Sequence, residues 1–297
     1  MNRRFLISKK KTGLGSDLAT IMGAWYYARR TARTLVIDWR NSLYLADRAV
    51  NAFPRFFQPL DQIDGVKIIC DDSVGKRNFP EPVLPLHKLP AREYRELLRM
   101  GTDIAAPTLI NTRPMHIFPP LAVQQRIIRA VRLHDEVQRE VDEFRQAEFA
   151  GATVLGVHFR HGNGERLAFG RDLSLQESCQ KIALRCQELC GNLSRSSSFP
   201  VRTFLATDSQ EAEETLRALV PGVVTRNKTY HAAGTGRLHR RSLGLRSAKD
   251  ALVEMFLLAR CNALIYNNSW FSYYARLTGR FDVTPVSIHP DSSYAAL

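Results

Sequence analysis

Short apolar runs alternate with helix-length amphipathic segments in two successive parts of the sequence, and this alternation constrains the fold most strongly. The first part begins with an apolar run at residues 5–7, and the second begins with Thr153–Phe159. Strands that alternate with helices form parallel sheets, because each helix carries the chain back to the start of the next strand. A length of 297 residues is enough for two medium-sized domains. We therefore predict an α/β fold with two Rossmann-like domains, residues 1–150 and 151–297, that face each other across a cleft.

The first strand–turn–helix unit carries two glycines after its strand. Gly13 and Gly15 are followed by Ser16, which we expect to cap a helix. A second strand at residues 34–38 completes the unit. The backbone amides of such a loop, and the helix behind it, suit a pyrophosphate or a nucleotide. Leu18 stands where dinucleotide-binding loops have a third glycine, so a strand–turn–helix without a ligand fits the pattern equally well.

The rest of the first part is less regular. Residues 79–120 are rich in proline, which breaks regular hydrogen-bond ladders, so we expect loops with a short helix at 92–100. Residues 121–149 have apolar residues at helical spacing with charges between them. This pattern predicts one long helix.

The second part repeats the alternation more regularly. Ser174 and Glu177 have the spacing of a capping box at the start of a helix. Further strands are expected at 201–206, 223–225 and 263–266, and further helices at 211–219, 248–260 and 270–277. Open parallel sheets bind ligands at the carboxyl ends of their strands. The stretches that we expect to converge there are residues 13–17, 158–165, 207–209 and 267–269.

The residues that end the strand Thr153–Phe159 combine cationic and titratable groups with a glycine-rich turn. His158, Arg160 and His161 lead into a turn that contains Asn163. A guanidinium can hold a phosphate through two parallel N–H bonds, and glycine lets the backbone come close to a ligand. We therefore expect an anion site here. A solvated arginine beside a flexible turn is the simpler alternative.

Charge and motifs narrow the kind of ligand. The net charge of +13 favours an anionic partner, such as nucleic acid, an acidic membrane or a phosphorylated substrate. The sequence contains no Asp-x-Asp, His-x-x-x-His or Cys-x-x-Cys motif, so we expect no metal. A bound diphosphate then has to be neutralised by arginine and helix dipoles. These features predict a transferase whose leaving group is a nucleoside diphosphate.

Other features concern the cellular compartment. Five cysteines in a chain of this length indicate buried thiols rather than a disulfide framework. No apolar run is long enough to span a bilayer, and the N-terminal residues are too polar for a signal peptide. We expect a cytoplasmic protein without an integral membrane segment.

Stretches spread over nearly the whole chain carry a family resemblance. They are residues 12–15, 34–40, 51–54, 69–72, 156–165, 207–209, 257–261 and 274–277, and the sequence His-Gly-Asn-Gly-Glu at 161–165 is the most specific. In these stretches the chain resembles the NodZ family of rhizobial nodulation fucosyltransferases, relatives of the eukaryotic α1,6-fucosyltransferases. The resemblance implies a GT-B-type glycosyltransferase with a GDP-fucose donor and no metal or other cofactor. It also implies transfer to the 6-hydroxyl of N-acetylglucosamine (GlcNAc) in a chito-oligosaccharide.

The same resemblance implies roles for individual residues. Arg160 matches the arginine that grips the donor phosphates, and His161 matches its neighbouring histidine, so we expect both to be catalytic. The further residues expected around the donor are Gly13, Gly15, His158, Asn163, Thr207, Asp208, Glu254 and Ser269. Glu254 stands where the family has aspartate near guanine or ribose, and Ser269 stands at the phosphate end of the last helix. The donor then belongs to the second domain, and the acceptor side to the first.

The implied reaction is an inverting displacement. The acceptor hydroxyl attacks C1 of fucose while negative charge builds on the β-phosphate of GDP, and Arg160 stabilises that charge. The sequence leaves the base open. Glu165 and His161 are both candidates, and a transition state with oxocarbenium character needs no strong base.

Other functions are compatible with parts of the sequence. A NAD-dependent oxidoreductase could use Gly13, Gly15 and Asp38, but it leaves residues 158–165 unexplained. A nucleic-acid-binding protein could use the positive charge, although no RNA-binding motif or recognition helix supports it. A fucosyltransferase acting on another bacterial glycan and a non-catalytic glycan-binding relative are also alternatives.

Overall fold

The computed structural model describes residues 4–9, 12–113, 115, 118–161, 174–230 and 244–288. These residues form two compact units that divide between Asp135 and Glu136, and Gly244 and Leu245 group with the first unit. The sequence pattern had put the division near residue 150. Each unit contains a largely parallel sheet with helices packed on it. The predicted α/β class with parallel sheets is confirmed.

The helices and strands have the following bounds. The strands are β1 Phe5–Ser8, β2 Thr34–Ile37, β3 Gln62–Ile63, β4 Val66–Ile69, β5 Val83–Pro85, β6 Thr108–Asn111, β7 Thr153–Phe159, β8 Val201–Thr207, β9 Val223–Val224, β10 Ala263–Tyr266 and β11 Val286–Ser287. The α-helices are α1 Leu14–Arg30, α2 Ala91–Met100, α3 Leu121–Ala130, α4 Asp135–Phe144, α5 Leu175–Ser196, α6 Gln210–Leu219, α7 Gly244–Leu258 and α8 Trp270–Thr278. None of these helices is both long and apolar enough to cross a membrane.

The sheet of the first unit has six strands in the order β3-β4-β2-β1-β6-β5, and only the β3–β4 pair is antiparallel. All four residues of β1 are buried, because it lies between β2 and β6 and α1 packs against it. Trp25 of α1 is fully buried, and its indole N–H donates to the carbonyl of Ile63 at 3.1 Å. The apolar face of α1 therefore fixes the helix on the sheet.

The proline-rich region contains two strands that we did not predict. β6 pairs with β1 in parallel along its whole length, and β5 forms the edge of the sheet beyond it. Pro85 ends β5, which is an edge position where its missing N–H costs no ladder hydrogen bond. The prolines therefore lie around short strands instead of excluding them. The short helix expected at 92–100 is confirmed as α2.

The single helix predicted for residues 121–149 is wrong. The structure contains α3, α4 and a terminal π-helical turn, Arg145–Phe149. Between α3 and α4 the backbone is extended: Arg132 accepts a hydrogen bond from Gln58 N at 2.9 Å, and His134 N donates to the Phe56 carbonyl at 2.8 Å. Apolar spacing continues through the break because Leu133 is buried there, and this explains why the pattern looked like one helix.

The predicted cap of α1 is also wrong. The N-cap residue is Gly13, and Ser16 lies inside the first turn, where its carbonyl accepts a hydrogen bond from Thr20 Oγ1 at 2.8 Å. The carboxylate of Asp17 instead accepts hydrogen bonds from the amide and hydroxyl of Thr12, at 3.0 and 2.7 Å. A first-turn aspartate therefore closes this corner and complements the helix dipole.

The sheet of the second unit is parallel throughout, with the strand order β11-β10-β7-β8-β9. β7 lies at its centre, and all seven of its residues are buried. Helices α5 and α6 cover one face, and the predicted capping box of α5 is present between Ser174 and Glu177. The strands and helices predicted for this unit are confirmed, with ends that shift by a few residues.

Gly156 in the middle of β7 allows close packing on the other face of this sheet. A β-carbon at this position would lie 2.9 Å from Cys261 Sγ and 3.2 Å from Leu258 Cδ2. Leu258 ends α7, so the missing side chain sets how near the helix end comes to the strand. The helix α7 carries Glu254 one turn earlier.

The cysteines are free thiols, as predicted. Cys179 and Cys186 lie on the buried face of α5, and burial raises the pKa of their thiols to about 11 and about 12. Protonated, buried thiols of this kind pack as small apolar side chains.

Candidate functional site at the carboxyl edge of the second sheet

The carboxyl ends of three neighbouring strands meet at one edge of the second sheet. His158 of β7 lies opposite Tyr266 of β10 and Ala206 of β8, and Phe159 lies opposite Thr207. Two helices begin at the same edge: α6 after its N-cap Ser209, and α8 after its N-cap Ser269. Because helix N-termini carry partial positive charge and exposed N–H groups, this edge suits an anion.

Side chains from the neighbouring strand ends hold the backbone that leaves β7. Asn267 accepts a hydrogen bond from Arg160 N at 3.0 Å and donates one to the Arg160 carbonyl at 2.8 Å. The Asp208 carboxylate accepts a hydrogen bond from His161 N at 2.8 Å. Asn267 N also donates to the His158 carbonyl, at 3.1 Å. The peptide of Arg160 is therefore fixed in one orientation.

The guanidinium of Arg160 is accessible while its backbone is fixed. Its side chain is 34% exposed, and Nε lies 3.9 Å from Asp208 Oδ2, at the outer limit of an ion pair. The carboxylate of Asp208 thus attracts the guanidinium electrostatically at this distance. A phosphate could approach the exposed side of the fork with two hydrogen bonds.

His158 is a buried and neutral histidine. Its imidazole stacks on the ring of Phe271, with centroids 4.8 Å apart and an interplanar angle of 18°. Burial, followed by the positive charges of Arg160 and Lys228, lowers the pKa of His158 to about 3, and a backbone hydrogen bond with Asn267 only partly opposes this. The ring therefore acts through hydrogen bonding and packing, and it carries no charge near neutral pH.

A lysine that the sequence analysis did not identify joins two predicted residues. Lys228 Nζ donates to the Thr207 carbonyl at 2.6 Å and forms a buried ion pair with Glu254 on α7. Burial raises the pKa of Glu254, and Lys228 acts in the opposite direction. No motif surrounds this lysine, and only its position at the start of a basic loop could have drawn attention to it.

Ser269 has a structural role at the start of α8. Its hydroxyl accepts a hydrogen bond from Ser272 N at 3.1 Å, and Ser269 N donates one to the Ser272 hydroxyl at 3.1 Å. This reciprocal cap starts α8 at the sheet edge. The structure thus brings His158, Arg160, His161, Thr207, Asp208 and Ser269 together at the ends of β7, β8 and β10 and the starts of α6 and α8.

Two predicted residues belong to the first unit. Gly13 is the N-cap of α1, and Gly15 is buried in its first turn. At the end of β2, Asp38 is buried and engaged by Arg40, at 2.8 Å to each carboxylate oxygen, and by Lys9 at 3.1 Å. Burial alone would raise the pKa of Asp38, but the contacts with Arg40 and Lys9 outweigh this and lower it. Its carboxylate is occupied by protein cations, unlike the ribose-binding acid of a dinucleotide enzyme.

Asn163 and Glu165 lie outside the described residues, so their predicted roles rest on the sequence. Within the described ranges, no three His, Cys, Asp or Glu side chains are grouped so that they could hold a metal ion.

The fold and the site define the class of this protein. Two units with largely parallel sheets are the architecture of GT-B-type glycosyltransferases. The family model of Nodulation protein Z (NodZ) matches residues 2–284, and the chain belongs to this family.

Individual relatives cover almost the whole chain. Nodulation protein Z of Bradyrhizobium diazoefficiens is 34% identical over 93% of this chain and 79% of its own length. The protein of the same name from Sinorhizobium fredii is 33% identical, with 94% and 92% covered. The crystal structure of a NodZ α-1,6-fucosyltransferase soaked with GDP-fucose superimposes with a TM-score of 0.73, at 31% identity and 93% coverage of both chains. The predicted family and the predicted fucosyltransferase class are confirmed.

More distant structures share the fold alone. Arabidopsis thaliana FUT1 in complex with GDP has a TM-score of 0.63 at 14% identity, covering 98% of this chain and 72% of its own. POFUT1 in complex with GDP-fucose has a TM-score of 0.55 at 12% identity, covering 96% of this chain and 97% of its own.

Proposed function

We propose that this protein transfers L-fucose from GDP-fucose to the 6-hydroxyl of a GlcNAc residue in a chito-oligosaccharide, in the cytoplasm, with inversion at the anomeric carbon and without a metal ion. The observation that carries this proposal is the fixed but accessible Arg160 beside the N-termini of α6 and α8. A family member whose crystals were soaked with GDP-fucose supports the choice of donor.

Arg160 stabilises the leaving group. When the bond between fucose C1 and the β-phosphate oxygen breaks, negative charge collects on the GDP β-phosphate. Asn267 already holds the backbone of Arg160, so this residue loses little conformational freedom when its guanidinium binds the charged phosphate. The guanidinium therefore acts as a preorganised donor. The N-terminus of α8 supplies further N–H groups to the same anion.

The remaining residues of the edge shape the donor site. His158 lines it as a neutral ring, Asp208 orients Arg160, and the Thr207 carbonyl is engaged by Lys228. Glu254 and Asn163 are further donor-site residues. Gly13 and Gly15 are also proposed as donor-site residues, through their backbone atoms. The first-turn carboxylate of Asp17 weakens the attraction of this corner for a phosphate.

The acceptor hydroxyl must lose a proton as it attacks. His161 is attached to the fixed corner through its backbone N–H, so its imidazole is one candidate base. Glu165 is the other candidate. The first domain, residues 1–150, supplies the acceptor side, and the second, residues 151–297, holds the donor.

A binding panel tests the donor. We expect GDP and GDP-fucose to raise the melting temperature of the purified protein more than UDP, ADP or NAD at equal concentration. A ligand that binds the folded state more tightly stabilises it more. A larger shift with NAD contradicts the proposal and favours an oxidoreductase.

A transfer assay tests the acceptor. Chitotetraose and a set of glycans without GlcNAc are incubated with GDP-fucose, and the products are analysed by mass spectrometry and NMR. We expect one added deoxyhexose, linked α to the 6-hydroxyl of a GlcNAc. If no GlcNAc compound reacts while another sugar does, the acceptor assignment is wrong and the donor assignment stands.

A further inference from the structure

The first turn of α8 carries an aromatic pair to which the proposed function gives no role. Trp270 and Tyr273 lie one turn apart on one face of the helix, with ring centroids 5.6 Å apart and an interplanar angle of 87°. Both are half-buried. The neighbouring face points inward, where Phe271 stacks on His158 and Tyr274 is buried. The first turn of α8 therefore carries a second aromatic pair that is half-buried.

A cation holds this aromatic pair against the sheet. The guanidinium carbon of Arg276 lies 5.9 Å from the centroid of Tyr273 and 4.6 Å from that of Tyr266, the last residue of β10. Arg276 also donates a hydrogen bond to the Tyr266 hydroxyl at 2.7 Å. Rigid aromatic side chains lose little conformational entropy when a ligand packs on them, so such a pair is suited to binding.

The position of Trp270 directs its ring toward the anion site. Side chains of an α-helix lean toward the helix N-terminus, and Trp270 is the first residue of α8, directly after Ser269. Trp270 therefore lies at the end of α8 that begins at the carboxyl edge of the sheet. A phosphate held by the N-terminus of α8 and Arg160 has this ring beside it, and so does the group bonded to that phosphate.

We propose that Trp270 packs against the pyranose ring of the sugar nucleotide and selects the sugar. This inference rests on the proposed function. One face of a pyranose presents C–H groups, which gain from burial against an aromatic ring. Fucose adds an apolar methyl group at C6 to this surface. The indole thus favours a 6-deoxyhexose, whereas GDP without a sugar does not make this contact.

Tryptophan fluorescence measures this contact directly. The chain has three tryptophans, and Trp25 and Trp39 are 0% and 2% exposed, so acrylamide in solution reaches mainly Trp270. With the wild-type protein, we expect saturating GDP-fucose to lower the acrylamide quenching constant about twofold more than saturating GDP, because a bound sugar covers the indole. This measurement requires no variant.

Substitutions test the energetic role. We expect Trp270→Ala to raise the dissociation constant of GDP-fucose about tenfold while that of GDP changes less than about twofold. Trp270→Phe keeps an aromatic ring and should retain most of the affinity. Phe199→Ala removes an aromatic side chain that is 58% exposed elsewhere in the same unit, and it should change neither constant.

The outcomes separate this inference from the proposed function. If GDP-fucose and GDP protect the fluorescence equally, or if protection requires chitotetraose, Trp270 does not bind the donor sugar and the inference is overturned while the donor assignment stands. If neither GDP nor GDP-fucose binds the wild-type protein, the proposed function fails and the inference falls with it.

Discussion

Both units start a helix at the carboxyl edge of a parallel sheet, yet the two edges treat charge differently. In the first unit, Asp17 is bonded to Thr12, and the buried Asp38 is enclosed by Arg40 and Lys9. The carboxylates at that edge are therefore paired with groups of the protein itself. In the second unit, the backbone of Arg160 is fixed while its side chain remains about one-third exposed.

This difference separates a glycine loop from an anion site. A strand, two glycines and a helix are present in the first unit, but a first-turn aspartate offsets the positive end of α1. The second unit has no glycine signature in its described residues at the corners before α6 and α8, where Ser209 and Ser269 cap the helices. At the proposed site, α6 carries Glu211 and Glu213 in its first turn, whereas α8 has no acidic residue there. We therefore expect an anion to depend more on Arg160 and the N-terminus of α8 than on glycine spacing.

The largest expected effect is the loss of turnover when Arg160 is replaced by lysine. Arg160→Lys replaces a planar fork with a point charge, and we expect turnover to fall about a hundredfold or more. The melting temperature should stay within a few degrees, because the side chain is partly exposed and its backbone contacts remain. Steady-state kinetics and a thermal melt measure both quantities.

Arg40→Lys is the matched control in the first unit. It removes one of two hydrogen bonds to the buried Asp38, so we expect a loss of stability of about 1–3 kcal/mol, with turnover within about threefold. If Arg160→Lys also keeps turnover within about threefold, Arg160 is a solvated strand-end residue and the contrast between the edges disappears.

Two asparagines at opposite ends of β7 provide the second test. Asn267 clamps the peptide of Arg160 at the carboxyl end, while Asn262 accepts a hydrogen bond from Val154 N at 2.9 Å near the amino end. Either alanine variant leaves buried backbone groups unpaired and should cost about 1–3 kcal/mol of stability. Only Asn267→Ala should also lower turnover, by about tenfold, because it releases Arg160. Equal turnover in the two variants would mean that the clamp is purely structural.

The third test uses pH. Because the folded-state pKa of His158 is lowered to about 3 from 6.5, the unfolded chain binds a proton in this window and the folded chain does not. The stability that the neutral ring provides is therefore fully present above pH 6.5 and declines as pH falls toward 3, by at most about 1.4 kcal/mol per pH unit. Urea unfolding at pH 7 and pH 5 should give a smaller difference for His158→Gln than for the wild type. His134→Gln, at an exposed position, should keep the wild-type difference.

The smallest expected effect is that of a chelator. Since the sequence lacks an Asp-x-Asp motif and the proposed mechanism assigns the leaving group to Arg160, we expect EDTA to change fucosyl transfer by less than about twofold. Mutation of Arg160 should then be far more damaging than metal removal. Activity that is lost with EDTA and restored by Mg²⁺ or Mn²⁺ would contradict a metal-free mechanism.

The regular parts of the second unit could be predicted from sequence because local signals agreed there. β7 is mostly apolar, and the capping box of α5 places a helix start at one residue. The prediction failed where a tertiary contact decides the structure. β6 is only four residues long and gains its stability from pairing with β1, and the break before α4 is fixed by backbone bonds to Phe56 and Gln58.

The candidate site was predictable only in part, for a related reason. Arg160 and His161 stand in a motif, so the sequence drew attention to them. Lys228 and Asn267 act through partners far away in the chain, namely Glu254 and the backbone of Arg160. Such pairs have no local spacing that a single sequence could reveal.

Gly156 has a consequence for how this protein can change through evolution or design. A single methyl group at this position meets Cys261 and the last residue of α7, Leu258, in a region without spare volume. Any larger residue must therefore displace these side chains, and we expect the strain to reach the end of α7 and Glu254 one turn before it. Donor preference could thus drift through a residue that never touches a ligand, so libraries aimed at new sugar donors should hold Gly156 constant while varying Trp270.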